Sequence, residues 1–369
     1  MEKCYILIKN GRIWDGRKFL TDGQDVAVSD GKIAAIGNLA DYSARYVLDA
    51  KGAIIAPGLI DTHMHIKGCS YKATGAPAEA VTFPFGVTTA VECTAASVAD
   101  AGGDFGNFLD NLQLKTFVFA NVEFTEIEGD IPSAVKTLER YPGRGLGLKV
   151  LLDTKVSDYR ILDGTPLEKV CAYAHERGWK VMVHSSNPPI PMSEVMDILQ
   201  PGDICTHIFH GGINTVADEA FLSLKKAEEK GIFMDVGLAA GQWIDFSIAR
   251  AAMEKGFYPH SIGTDLVSYN AFLQGGVSGL TTAMTVMREL GMPEEKLLEA
   301  VTGSAAQTIG QEHALGRLEI GRTADIAVIG WGNVPMDMTD KSGNHLTCEQ
   351  GYQCRLTMAN GNVVYRQGI

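Results

Sequence analysis

Two histidines one residue apart, His63 and His65, close the apolar run IIAPGLIDTHMH. If the run is a strand, positions i and i+2 share a face, so the two imidazoles make half of a site for a divalent ion. Further candidates each end a short apolar run far along the chain: Lys149 in RGLGLKVLLD, His184 in KVMVHSS, His207 in THIFHGG and Asp265 in SIGTDL. Four imidazoles and one carboxylate suit zinc, and also manganese or iron. The absence of thiolates favours catalysis over a closed structural site. Lys149 is the odd member, because a protonated amine repels cations and a lone strand-end lysine normally reaches for solvent. A neutral lysine between the two histidine sets can instead capture carbon dioxide as a carbamate, an anionic ligand with two oxygens able to bridge two ions.

The elements that must bring these residues together follow a repeated pattern. In TPLEKVCAYAHERGWKVMVHSS, Thr165 can cap a helix with Pro166 at its first position and Glu168 completing a capping box; Gly178 stops it and a buried strand follows. The unit recurs with stops at Gly231 and Gly256. Helix then strand, repeatedly, means parallel strands covered by helices. About eight candidate strands between Ile54 and Gly263 predict an α/β fold, a (β/α)8 TIM barrel of the usual size, roughly 250 residues. The strand ends then converge on one mouth, and Cys93, Glu123 or Asn121, and Val236 fall at the remaining ends. Alternating strands broken by Asn-Gly, Asp-Gly and Lys-Gly turns occupy the first 50 residues or so, and the same style returns after Gly316. The expected organisation is a small β-sandwich domain from 1–55 plus 317–369 and a catalytic barrel over 56–316.

Bulk properties exclude several classes. The chain has 369 residues, 46% of them hydrophobic, and a formal charge of −12, which disfavours nucleic acid and anionic membranes as partners. No apolar run approaches the length of a membrane span, about 18 residues, and no secretory leader opens the chain, so it reads as cytoplasmic. Seven cysteines without a C-x-x-C pair (Cys4, Cys69, Cys93, Cys171, Cys205, Cys348, Cys354) read as reduced thiols, with Cys93 the one worth watching. His175 is read as facing solvent on the helix that begins at Thr165. With His260, His313 and His345 it is set aside as a ligand.

The segments PGLIDTHMH, VMVHSS, THIFHG, SIGTDL and GRLEIGRTADIAVI, with a lysine at strand four, resemble the amidohydrolase superfamily across essentially the whole chain. GIFMDVGLAAGQWIDFSIARAAMEKGFYPHSIGTDL is similar to the dihydroorotase-like deacetylase subgroup, some of whose members are labelled adenine deaminases. The resemblance implies a binuclear centre: His63, His65 and Asp265 on the more buried metal, His184 and His207 on the other, and carboxylated Lys149 bridging them. It also implies a hydroxide shared by two divalent ions, most simply zinc, that attacks an amide, with Asp265 as base and then acid. The expected substrate is an N-acyl amino acid derivative, a small cyclic amide or an ester. A ring deaminase of adenine type and a non-catalytic scaffold on the same fold are the alternatives. Relatives commonly associate, so a homo-oligomer is expected.

Substrate contacts are expected from His210, Tyr71, Asn121, Arg160, Asn187, Gln242, Tyr269 and Asn270, each close after a strand. His210 could instead orient His207, and Arg160 could pair with a substrate carboxylate or sit in a surface ion pair. Where subgroup members often carry histidines, this chain has Leu238 and Val267, which would make the leaving-group pocket more apolar.

Overall fold

The computed structural model describes residues 2–67, 75–95, 109–124, 129–155, 161–272 and 279–369. Seven parallel strands, Leu59–Met64, Val87–Ala95, Lys115–Asn121, Gly145–Leu151, Lys180–His184, Ile204–Thr206 and Phe233–Asp235, pair in chain order in one sheet. The eighth stave is an irregular stretch over 261–266, joined to its neighbours by single bridges, Asp235 to Ser261 and Met64 to Leu266. Hydrogen bonds from Asp265 N to His63 O (2.6 Å) and from His65 N to Leu266 O (2.9 Å) close the barrel. The stave is not a regular strand because Asp265 has φ of 50°, which interrupts the ladder at the residue that must turn into the mouth. The strand count also starts later than the sequence suggests. Ile54–Pro57 pairs antiparallel with Ile326 to Ile329 in the small domain.

The barrel interior is a packed core. Ile60, Val91, Cys93, Phe119, Met182 and Ile204 point inward from five strands and meet Ala305, Ala306 and Ile309 from a helix that plugs one end. Cys93 belongs to this core, and burial pushes its thiol well above the usual range, so it is an inert small hydrophobe. The other five described cysteines are also buried and free; Cys69 lies outside the described residues.

In the fourth strand, Leu146 packs toward the interior cluster while Leu148 and Val150 pack in the outer one. An irregularity between Gly145 and Gly147 supplies the extra residue that breaks the alternation and turns Lys149 inward. Gly147 is required there, since a Cβ would fall 1.8 Å from the Lys180 carbonyl oxygen.

Both chain ends build the β-sandwich. One sheet orders Lys32–Gly37, Asp25–Ser29, Lys3–Lys9 and Ser43–Asp49; the other orders Asn362–Arg366, His345–Ala359, Ile326–Thr339, Ile54–Pro57 and Arg12–Ile13. Ile6, Ile8, Val26 and Val28 of the first face Ile55, Ile326, Val328 and Leu356 of the second. The hairpin formed by Ile326–Thr339 and His345–Ala359 is far longer than the sandwich needs, and its tip reaches the loop after the seventh barrel strand.

The helix at Thr165–His175 begins one residue earlier than the capping pattern suggested. Gly164 is its N-cap, and Asp163 accepts from the Thr165 N–H at 2.9 Å. His175 does not face solvent; its Nε2 meets Asp203 at 2.9 Å. Asp203 precedes the sixth strand, at the end opposite the mouth, so this contact ties helix to barrel. Cys171 stands beside the pair, but Asp203 also accepts from Val181 N and Gln200 N, the work of a structural tie. Among the described residues no helix is long and apolar enough to cross a membrane.

Candidate active site

Four histidines from three strand ends meet at the mouth, and hydrogen bonds orient their rings. Thr206 donates its hydroxyl to Asp235 (2.6 Å), so it must accept from His63 Nδ1 (2.9 Å), which leaves the His63 Nε2 lone pair toward Asp265 at 3.4 Å. Thr94 donates to Glu92 (3.3 Å) and meets His65 Nδ1 (2.9 Å), while His65 Nε2 faces Asp265 Oδ1 at 2.8 Å. His207 Nδ1 donates to the Gly237 carbonyl (2.7 Å), and its buried Nε2 has no partner among the described residues. Ser186 donates to Asp153, so His184 Nε2 donates to Ser186 (2.6 Å) and Nδ1 carries the lone pair. The His63, His184 and His207 rings are thus each held in one tautomer by a hydroxyl–carboxylate pair or a carbonyl, as a metal ligand requires.

The rings are close. Centroids lie 5.7 Å apart for His63 and His65, 5.2 Å for His63 and His207, and 4.2 Å for His184 and His207. Ligand atoms of His63, His65 and Asp265 all fall within 4.8 Å of one another. His207 and Asp265 both have positive φ, 63° and 50°, an unfavourable backbone that aims their side chains inward. Gly237, with φ of 52°, could not be another residue, because a Cβ would sit 2.5 Å from His207 Nδ1.

Electrostatics match a cation site. Burial, reinforced by Lys149, pulls His63 down to about 4, and burial with the neighbouring His184 takes His207 well below the usual imidazole range. Burial also opposes charge on His65, yet bonds to Asp265 and Glu92 raise it to about 9. Burial favours the neutral form of Asp265, but His63 and His65 outweigh it and hold the carboxyl at about 2. A 2.8 Å contact between His65 Nε2 and a carboxylate oxygen needs a proton or a shared cation between them. Lys149 is fully buried, its Nζ has no partner among the described residues, and burial lowers its pKa. A buried amine without a hydrogen-bond partner, whose neutral form burial favours against the pull of Asp265 and Asp235, is what carbamate formation requires, so the residues fit a carboxylated-lysine centre.

His210 is buried and follows closely on His207. Gly212 N–H donates to its Nδ1 at 3.2 Å, so the neutral ring carries its proton on Nε2, which has no partner among the described residues and lies near His184. Burial, with His184 second, keeps it neutral at about 4. Asn121 is buried with an unpartnered Oδ1; Asn187 donates Nδ2 to Asp153 (2.9 Å) and leaves its Oδ1 unpartnered. Gln242 and Tyr269 are exposed and meet each other at 3.4 Å. Asn270 is not free for substrate: its Oδ1 accepts from Val267 N (2.8 Å) and its Nδ2 donates to the Asp265 carbonyl (3.2 Å), bracing the eighth stave. Tyr71 and Arg160 lie outside the described residues. Leu238 is fully buried in the main apolar cluster and Val267 nearly so.

Sequence reasoning missed the supports and the cover. Asp61, Glu92, Asp153 and Asp235 are buried carboxylates that orient the site, and three carry a weak signal: Asp61 two residues before His63, Glu92 beside Cys93, and Asp235 at a strand end. Asp61 accepts from Thr264 Oγ1 (2.6 Å) and N (3.0 Å), and burial lifts it to about 7. Trp243 stands 5.4 Å from the His184 ring and 5.9 Å from that of His207.

The amidohydrolase family pattern matches residues 165–364, more than half of the chain. The chain belongs to the amidohydrolase family. It is 30% identical over 332 residues to a deacetylase of Agrobacterium fabrum, covering 85% of this chain and 80% of that protein. An adenine deaminase of Halalkalibacterium halodurans is 42% identical over 92 residues, 24% of this chain and 15% of its own. A crystal structure of a dihydroorotase superposes with a TM-score of 0.85 at 26% identity, covering 98% of this chain and 99% of that one. The chain is accordingly a metal-dependent hydrolase of carbon–nitrogen bonds other than peptide bonds.

Proposed function

We propose that the protein is a binuclear hydrolase that removes an acyl group from an N-acyl amino acid derivative or opens a small cyclic amide. The observation that carries the reading is Lys149, fully buried, without a hydrogen-bond partner for its amine among the described residues, and close enough to His63, His184 and His207 to disfavour charge on each. His63, His65 and Asp265 would hold one divalent ion, His184 and His207 a second, and Lys149, as its carbamate, would join them; zinc fits the donor set best. Bound ions would lower the pKa of water at the site and polarise the acyl carbonyl. Asp265, kept ionised by its histidine neighbours, accepts the proton of the attacking water and returns it to the leaving nitrogen. His210 donates its Nε2 proton in a hydrogen bond to an oxygen of the substrate. Trp243 covers the His184 and His207 side and limits access of bulk water.

The test is a metal count with a hydrolysis screen. Zinc-loaded protein should carry close to two equivalents and cleave a member of a panel of N-acetyl and N-formyl amino acids, hydantoins and dihydropyrimidines. Lys149→Ala should lose one or both equivalents with turnover. A single equivalent indifferent to that change, with release of ammonia from adenine, would overturn the reading in favour of the deaminase.

A further inference from the structure

The tip of the long hairpin carries a cation to the Trp243 ring, and neither the family pattern nor the ligand set explains it. Asp340 shapes the tip by accepting from Ser342 N (2.9 Å), Asn344 N (2.8 Å) and Asn344 Nδ2 (2.9 Å), and it is itself buried. The tip is then pinned to the loop that carries Trp243. Asp340 accepts from Phe246 N (2.7 Å), Lys341 N donates to the Ile244 carbonyl (3.0 Å), and Ser342 donates to Asp245 (2.5 Å), which also caps the following helix through Ser247 N and Ile248 N. Gly241 lies so close to the Thr339 carbonyl that a Cβ would sit 2.4 Å from it. The small domain therefore fixes one residue, Lys341, relative to the barrel mouth.

Lys341 Nζ sits 4.8 Å from the Trp243 ring centroid, and the same indole stands against His184 and His207. The ammonium and the two imidazoles therefore share one indole as a common neighbour. It is exposed and forms no ion pair among the described residues. Within a chain of net charge −12, an unneutralised cation held on an aromatic face beside the site is a ready anchor for an anion.

We propose that Lys341 binds the carboxylate of the substrate, so that the compounds cleaved are acyl amides carrying a negative charge near the scissile bond. The proposal rests on the hydrolase reading and deepens it by naming the substrate class. It also explains why the hairpin extends beyond the sandwich: the small domain contributes a specificity residue to the barrel. A neutral purine would gain nothing from this contact.

The experiment compares an N-acetyl amino acid with its uncharged carboxamide, using zinc-loaded protein, Lys341→Met and Lys341→Arg, with steady-state kinetics and titration calorimetry on each pair. Lys341 is exposed and its structural bond is made by backbone N–H, so both variants keep the tip. The wild type should prefer the carboxylate about tenfold or more in kcat/KM, the size of one charge-assisted contact at a partly wet site. Lys341→Met should raise KM for the carboxylate by a similar factor and leave the carboxamide unchanged; Lys341→Arg should restore most of the preference. Equal use of both compounds, or an equal loss on both in Lys341→Met, would overturn the proposal while leaving the hydrolase reading intact. If neither compound is cleaved, calorimetry decides: carboxylate binding abolished by Lys341→Met keeps the anchor and removes N-acetyl amino acids as the proposed substrates, and no binding removes the anchor.

Discussion

Replacing Lys149 with methionine should push the metal-free and metal-loaded proteins in opposite directions. In the metal-free protein the amine is fully buried and unpartnered, a group that costs about 1–3 kcal/mol relative to an apolar side chain of similar length. Lys149→Met removes that cost, so the chelator-treated variant should unfold at a higher temperature than chelator-treated wild type. The pH dependence has a definite sign. Burial lowers the folded-state pKa below the unfolded one, so across that window the unfolded chain binds more protons and wild-type stability rises with pH. The variant should lack this slope, which the difference between the two pH profiles isolates. Zinc at a hundred times its dissociation constant should stabilise wild type by about 2.7 kcal/mol, and the variant by much less, because methionine cannot supply the carbamate proposed for Lys149. The assay is thermal unfolding of both proteins, chelated and zinc-loaded, from pH 6 to 10. A metal-free variant less stable than wild type, or a zinc shift equal in the two, would refute the reasoning.

Three further outcomes follow from the geometry. Asp265→Asn keeps the shape of the side chain but cannot accept a proton, and kcat should fall by about 10²–10⁴-fold on whichever substrate the screen identifies. His210→Leu removes a buried donor with no structural partner on Nε2, so kcat/KM should drop by about 10²-fold with the zinc count unchanged, and His210→Gln should recover part of it; loss of zinc in His210→Leu would show instead that the residue supports the ligands. Gly237→Ala places a methyl group 2.5 Å from His207 Nδ1 on a left-handed backbone, so it should lower the zinc stoichiometry and the melting temperature together, and unchanged zinc binding would show that His207 is not held by that carbonyl.

The candidate ligand positions were legible because metal binding is restricted to few residue types. His63, His65, Lys149, His184, His207 and Asp265 each end an apolar run, and helix-stop-strand periodicity is enough to place such ends at one mouth. The two β-rich ends announced themselves by period-two alternation and Gly turns. Periodicity failed where the backbone departs from its ideal. It missed the irregularity at Gly147 that turns Lys149 inward and the broken eighth stave around Asp265.

Residue types and spacing by themselves determined the class of chemistry, the barrel and the donor set, since those depend on local patterns and on what a cation accepts. Tertiary structure alone decided the rest. Which nitrogen each imidazole offers depends on hydroxyls and carboxylates supplied by other strands, as Thr206 and Asp235 do for His63. That the Lys149 amine has no hydrogen-bond partner among the described residues, and that Lys341 stands over Trp243, itself against the histidines, are facts of packing between residues far apart in the chain. Hydrogen bonds, burial and charge act through space over a few ångströms, and sequence order records that neighbourhood only after the chain has folded.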